Sequence, residues 1–408
     1  MRRRDFLAGA TGGAALLAGC QAEPVDSGAN GTGTAGNKNG STASGENATN
    51  GTTVGDSEGG GGQTLRVATY PAYLDAPSVS PGGWVKEQFE KTHNATLEWV
   101  SPEGGINYFI QRRQQNRPIE ADVYLGLTVE ELVRVDRELG TNADGSGGTN
   151  GTGTGGSGSG GGYRGGPFAP AETDPIANYD AIKPNLGFDS ANRVVPVGTS
   201  YVSLVYDETA IEAPSTFADL LEPAYEGALI AENPTQGATG LRFLLQTIAA
   251  RGEDGYLEYW SELLDNGTQV LGSWFDSYAA YSNGEAQMVV SYSTDQVFAD
   301  RAGENLSQHQ IAFLDDGAVP YTDGIATFEE TDKTDLANAF ANFMLSPRVQ
   351  ARTAVLNVGL PAVTNATLPK DFQQLIAAPE EAVEFSYDRL RGNLQGWVDA
   401  WSRQVAGR

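Results

Sequence analysis

The residues best suited to chemistry in this chain are aromatic. Trp274, Tyr278, Tyr281 and Tyr292 gather in one stretch, and Tyr70, Tyr73 and Tyr108 in another. An aromatic face attracts a cation by about 0.5–2 kcal/mol and stacks on a planar heterocycle, so such a group suits an organic cation. Core packing is the competing role for each ring taken alone. Trp274 and Tyr292 are the favoured site residues. Beyond Tyr292 run Ser293, Thr294 and Asp295, and Asp295 is placed either to meet a cation or to cap a helix. Two turns add amide donors. Glu103-Gly104-Gly105 precedes a helix predicted from Ile106, and the run from Asn233 through Gly237 and Ala238 to Gly240 joins a strand to a helix. Free backbone N–H groups at such helix starts suit an anion, although turn and cap chemistry explains either loop equally well.

Nothing comparable points to catalysis or to a cofactor. The two histidines, His93 and His309, sit in polar stretches without metal-ligand spacing, and no G-x-S-x-G elbow occurs. Neither an enzyme nor a metal site is expected. The lone cysteine has a different chemistry. Arg2-Arg3-Arg4-Asp5-Phe6-Leu7 is followed by an apolar run to Leu17-Ala18-Gly19-Cys20. That order of charged, apolar and small residues is an export signal, and a run of about 14 residues is too short to span a bilayer. The ending resembles the lipobox of exported lipoproteins, and the paired arginines resemble a twin-arginine signal. The resemblance implies Tat export, removal of residues 1–19, and a lipid on Cys20 that holds the chain to the outer face of the cytoplasmic membrane. A single cysteine forms no intrachain disulfide.

Composition narrows the partners. Fifty-two acidic residues against 26 basic ones give a formal charge of −26. Phosphate backbones are neutralised by Lys and Arg, so nucleic acid is excluded as a partner. A surface this acidic repels itself unless salt screens it, which implies a halophilic source. Residues 20–62 are rich in Gly, Asn and Thr and almost free of large apolar side chains, so they read as a disordered tether. A coil of about 40 such residues reaches roughly 35 Å. A second Gly/Ser-rich segment, 141–166, reads as a surface insertion. Sequons at Asn30, Asn47, Asn50, Asn94, Asn150, Asn266 and Asn365 are acceptors for glycosylation.

The remaining residues alternate strand and helix, so an α/β fold with a parallel sheet is predicted. Strands are expected near 64–70, 96–100, 121–126, 194–207, 228–231, 269–271, 288–292 and 325–328. Helices are expected at 81–90, from 106, at 129–139, 240–250, 335–344, 347–356 and 394–405. The long strand from Val194 suggests a lobe interrupted by a second lobe and then resumed. The boundaries expected are 63–203, 204–324 and 325–408.

Several segments are also familiar. Val194 to Asp207 and Phe343-Met-Leu-Ser-Pro347 resemble type II periplasmic binding proteins, whose solutes lie between two α/β lobes. Ala121 to Leu127, Ser273-Trp274, Ser277-Tyr278, Met288 to Thr294, Asn365 to Pro369 and Gln395 to Trp401 are similar to the thiamine-binding proteins of ABC importers. The resemblance implies a monomeric receptor that takes thiamine or a thiamine phosphate from outside the cell and hands it to a permease subunit. It places the site at Tyr70, Gly104-Gly105 with Glu103 adjacent, Gly237-Ala238, Trp274 and Tyr292 to Asp295. It also shows departures. Gly237-Ala238 stand where the family has hydroxyl residues, Phe298 where it has a tyrosine, and Gly359-Leu360-Pro361 where close relatives have a tryptophan; Tyr321 is a candidate for the missing ring. Other readings are a receptor for a polyamine or iron, or a membrane-anchored enzyme.

Overall fold

The computed structural model describes residues 62–75, 80–140 and 166–406. The signal segment, Cys20, the tether up to Gly61 and positions 141–165 of the insertion lie outside the described residues. The chain begins with three parallel strands, β1 (Gln63–Ala68), β2 (Ala95–Val100) and β3 (Val123–Leu127). Between and after them come α1 (Pro71–Leu74), α2 (Gly82–Thr92), α3 (Ile106–Gln114) and α4 (Val129–Leu139). Sequence chemistry fixes these boundaries. Thr128 and Glu131 form a reciprocal capping box at the start of α4, and left-handed Gly140 ends it.

The long β4 (Val194–Tyr206) follows, then β5 (Leu229–Glu232), α5 (Ala238–Asp265), β6 (Gln269–Leu271), α6 (Trp274–Ser282), β7 (Met288–Tyr292) and α7 (Asp295–Ala302). Short β8 (Gln310–Ala312) and β9 (Gly317–Ala318) lead into β10 (Pro320–Thr327). The chain closes with α8 (Thr334–Met344), α9 (Pro347–Asn357), β11 (Leu360–Pro361), α10 (Lys370–Gln373), β12 (Glu381–Ala382) and α11 (Tyr387–Ala406). The main sheet runs β2-β1-β3-β10-β4-β7-β5-β6.

This sheet is mixed, not the parallel one that alternation predicts. The outer trios β1/β2/β3 and β5/β6/β7 are parallel, but β10 and β4 run antiparallel to their neighbours. Strand-to-strand crossings between two sheet halves need no helix, so a helix-strand count does not reveal them. β4 pairs with β10 through Tyr201 and with β7 from Val202 onward. A strand covered on both faces reads as a near-continuous apolar run whatever its direction, and β4 is buried along nearly its whole length.

Two buried glutamines hold this strand on either side of its change of partner. Gln350 of α9 donates to the Val197 carbonyl at 2.8 Å and accepts the Ala362 amide, and Gln246 of α5 donates to the Val202 carbonyl at 2.9 Å. Helix α5 is longer than expected. It continues past a break at Gly252, where φ is 75°, and its second half buries Tyr256, Tyr259, Trp260 and Leu263. Helix α11 likewise starts at Tyr387 rather than near Leu394, and α6 and α7 had no predicted counterpart.

A charged cluster ties the first-lobe helices to the chain's end. Arg193, 1 % exposed, makes two bonds of 2.8 and 2.7 Å to Asp136 and one of 2.5 Å to Asp189, while the Tyr387 hydroxyl also donates to Asp136. Removing one partner from a buried pair leaves an uncompensated charge. Asp136→Ala should therefore lower stability by about 3–5 kcal/mol in denaturant unfolding. A loss below 1 kcal/mol would show that solvent reaches the cluster.

Candidate ligand-binding site

Strand ends and helix starts bring several functional side chains to the junction of the two sheet halves. Two cavities meet there, and the Tyr321 ring on β10 is a wall of both. The smaller holds about 40 Å³ and is lined by Tyr70, Tyr73, Gly126, Thr199, Ser200, Asp323, Asn357, Gly359 and Leu360, among others. The larger holds about 260 Å³ and is lined by Thr128, Glu130, Glu131, Arg134, Gly237, Ala238, Arg242 and residues of α11.

Local sequence explains these positions. Tyr70 follows β1, and its ring lies on Gly126: a Cβ there would come within 2.6 Å of the ring, and φ is 96°, so glycine is required twice over. The Tyr70 hydroxyl is held by the Asn357 amide at 3.0 Å. Tyr321 has Arg242 over its ring at 4.6 Å and Tyr292 at its edge, with centroids 6.4 Å apart. From Tyr292 the aromatic row continues to Trp274 at 6.1 Å and Tyr278 at 5.2 Å. The Trp274 indole donates to the Ser291 hydroxyl at 3.0 Å.

Unpaired polar atoms mark what this junction is for. Buried polar groups are nearly always hydrogen-bonded, so a concentration of exceptions needs an explanation. Among the described residues eleven buried side-chain atoms lack a partner, and six of them line the two cavities. They are the Tyr73, Thr199 and Ser200 hydroxyls, Asp323 Oδ1, and the Nε atoms of Arg134 and Arg242. Burial, with the Glu131 charge adding to it, raises the Asp323 carboxyl from 3.8 to about 7, against the opposing pull of Arg242. Burial also raises Tyr73, and Asp323 adds to that shift. A carboxyl, three hydroxyls and the rings of Tyr70 and Tyr321 offer acceptors and ring faces to a cation; because small-molecule pockets hold roughly 300 Å³ or more, a heterocycle would have to span both cavities across Tyr321.

The structure brings together only some of the residues singled out by sequence. Tyr70, Gly237 and Ala238 line the cavities. Trp274 and Tyr292 stand behind Tyr321 as its aromatic support, and Trp274 opens α6 instead of ending a strand. Glu103 is exposed, and Gly104 and Gly105 shape the start of α3 without lining either cavity. Ser293 and Thr294 are buried, with the Ser293 amide bonded to the Tyr201 carbonyl. Asp295 lines neither cavity and sits at the first residue of α7: it bonds His309 Nδ1 at 2.7 Å, and Tyr278 lies 3.2 Å from the same nitrogen. His309 is thus buried, contrary to its polar surroundings in sequence. Desolvation opposes its charged form, yet Asp295, Glu304 and Asp207 raise its pKa. Phe298 packs in an apolar cluster with Val358 and Phe372, while Gly359 and Leu360 line the smaller cavity near Tyr321. Sequence reasoning missed Asp323, Thr199, Ser200 and Arg242. Among the described residues no group of His, Cys, Asp and Glu could hold a metal ion.

Two lobes joined by crossing strands, with polar and aromatic groups converging between them, are the fold of type II periplasmic binding proteins. Residues 160–380 match the family described as bacterial extracellular solute-binding protein, and the chain belongs to that family. It is 26% identical to the thiamine-binding periplasmic protein of Escherichia coli K12 over 343 residues, 84% of this chain and 93% of that one. The solved structure of a periplasmic thiamin binding protein superposes with a TM-score of 0.60 at 24% identity, covering 84% of this chain and 96% of that one. A ferric binding protein from Campylobacter jejuni superposes with a TM-score of 0.62 at 15% identity, over 83% and 99% of the two chains.

A raised carboxyl pKa has a defined sign. The folded state holds the Asp323 proton more tightly than the unfolded chain does, so its stabilising contribution is complete below pH 4 and disappears as pH rises through 7. Between pH 5 and 7.5 the wild type should lose about 1–2 kcal/mol relative to Asp323→Asn, a figure discounted from the full linkage because the residue is only half-buried. Parallel stability profiles of the two proteins would contradict this assignment.

Proposed function

We propose that the chain is the receptor of an ABC importer and that thiamine is its solute. The observation that carries this reading is the convergence of the Asp323 carboxyl with the Tyr70 and Tyr321 rings between the two lobes. Thiamine has a cationic thiazolium and an aminopyrimidine, and such a cavity offers a partner to each: ring faces for the heterocycles and a carboxylate for positive charge. Sequence similarity to thiamine-binding periplasmic proteins, which spans most of the chain, supports the same choice. No bond is made or broken. A solute that touches both lobes when they close, and one lobe when they open, stabilises the closed form by the difference.

In this reading the twin-arginine segment exports the chain, and a lipid on Cys20 keeps it beside a permease subunit. Cys20→Ala should move the protein from the membrane fraction to the medium, as read by immunoblot of fractionated cells; continued membrane retention would remove the anchor from the account.

The solute is tested by calorimetry in molar salt, which screens a charge of −26. Thiamine should bind, and Asp323→Asn and Tyr321→Leu should each weaken it about 10- to 100-fold, or about 1.4–2.7 kcal/mol. Because Asp323 must be ionised to meet a cation, wild-type affinity should rise between pH 6 and 8, and the Asn variant should lack that rise. Heat with spermidine or ferric iron and none with thiamine would replace this solute by another.

A further inference from the structure

The first turns of α5 and α6 converge on one point beside the larger cavity. Free amides at such places are where phosphate groups settle. Here the chain fills the point itself. The Glu232 side chain, 4 % exposed at the end of β5, accepts the Thr239 hydroxyl at 2.6 Å, the Gly240 amide at 3.2 Å and the Trp274 amide at 2.9 Å. Thr239 and Gly240 belong to the first turn of α5, and Trp274 is the first residue of α6. One carboxyl group therefore satisfies donors from two helices. Gly237, a lining residue of the cavity, stands directly over it: a Cβ there would come within 2.0 Å of Oε1. A single residue of backbone separates the cavity from this carboxyl.

We infer that Glu232 takes the place of a bound anion and so closes the cleft to phosphorylated solutes, leaving an unphosphorylated organic cation as the cargo. The choice of cargo rests on the function proposed above; the exclusion of phosphate does not. An arriving phosphoryl group finds the donors already engaged and meets a like charge behind Gly237. Burial raises the Glu232 pKa, and protonation would relieve the repulsion without freeing the amides. The neighbouring guanidinium charges are already balanced by carboxylates, although Arg134 and Arg242 each keep one unpaired Nε donor. Arg242 is bonded to Glu130 at 2.7 Å, and the charge of Arg134 acts on Glu131.

Calorimetry with thiamine, thiamine monophosphate and inorganic pyrophosphate on the wild type, Glu232→Gln and Glu232→Ala tests the inference. The wild type should bind thiamine at least 10-fold more tightly than its monophosphate and give no heat with pyrophosphate. Glu232→Gln, which keeps the shape and removes the charge, should narrow that gap at least threefold. Glu232→Ala, which uncovers the donors, should acquire pyrophosphate binding and gain melting temperature with it; if this variant does not fold, the Gln variant carries the test. Equal wild-type affinity for thiamine and its monophosphate, wild-type binding of pyrophosphate, or an unchanged gap in the Gln variant overturns the inference. If thiamine gives no heat, the receptor assignment fails separately. Pyrophosphate then decides alone: binding to a variant but not to the wild type supports the exclusion, and binding to none overturns it.

Discussion

The structure depends on a single strand that serves two sheets. β4 must stay paired along its length while its partners change between Tyr201 and Val202, and a buried strand with unmatched carbonyls is costly. Gln350 and Gln246 meet that demand from opposite lobes by donating to Val197 and Val202. Each glutamine belongs to a helix that also lines the cleft region: Asn357 of α9 holds Tyr70, and Arg242 of α5 covers Tyr321. The side chains that hold β4 at its change of partner and those that shape the pocket are thus on the same two helices. Closure of the lobes is expected to change the site and the β4 crossing together.

The cleft concentrates acidic groups in different chemical states. Glu131 is consumed by the capping box of α4, Glu130 by Arg242, and Glu232 by two helix starts. Asp323 alone of these has a buried oxygen without a partner. It therefore remains the carboxyl able to gain most from an arriving cation, since a charge-assisted bond would relieve its desolvation. This division of roles depends on position, because all four are ordinary members of an acidic composition.

That is also why the site was only partly legible in the sequence. Strand runs such as Val194 to Tyr206 and the helix at Val129 to Leu139 announce themselves by apolar continuity and by capping residues, and they lie where the pattern places them. Tyr70 and Gly237-Ala238 are legible because they end strands or start helices. Asp323 and Glu232 are hidden among 52 acidic residues, and only the folded chain shows which carboxyls are desolvated. A usable signal for Glu232 exists in retrospect: an acidic residue closing an apolar strand just before a Gly-rich turn into a helix. The second half of α5 was missed because Gly252 interrupts the period, although Tyr256, Tyr259, Trp260 and Leu263 continue it. The antiparallel pairing of β4 and β10 escaped for a different reason, since pairing between distant segments leaves no local trace.

The central claim is that a planar organic cation draws the two lobes together over Asp323 and Tyr321. Spectroscopic labels at exposed Lys91 on α2 and exposed Glu258 on α5, in a chain whose Cys20 is replaced by serine, report the distance between lobes directly. Thiamine should shift that distance to a shorter and narrower distribution, and Asp323→Asn should blunt the shift. An identical distribution with and without saturating thiamine would contradict the account.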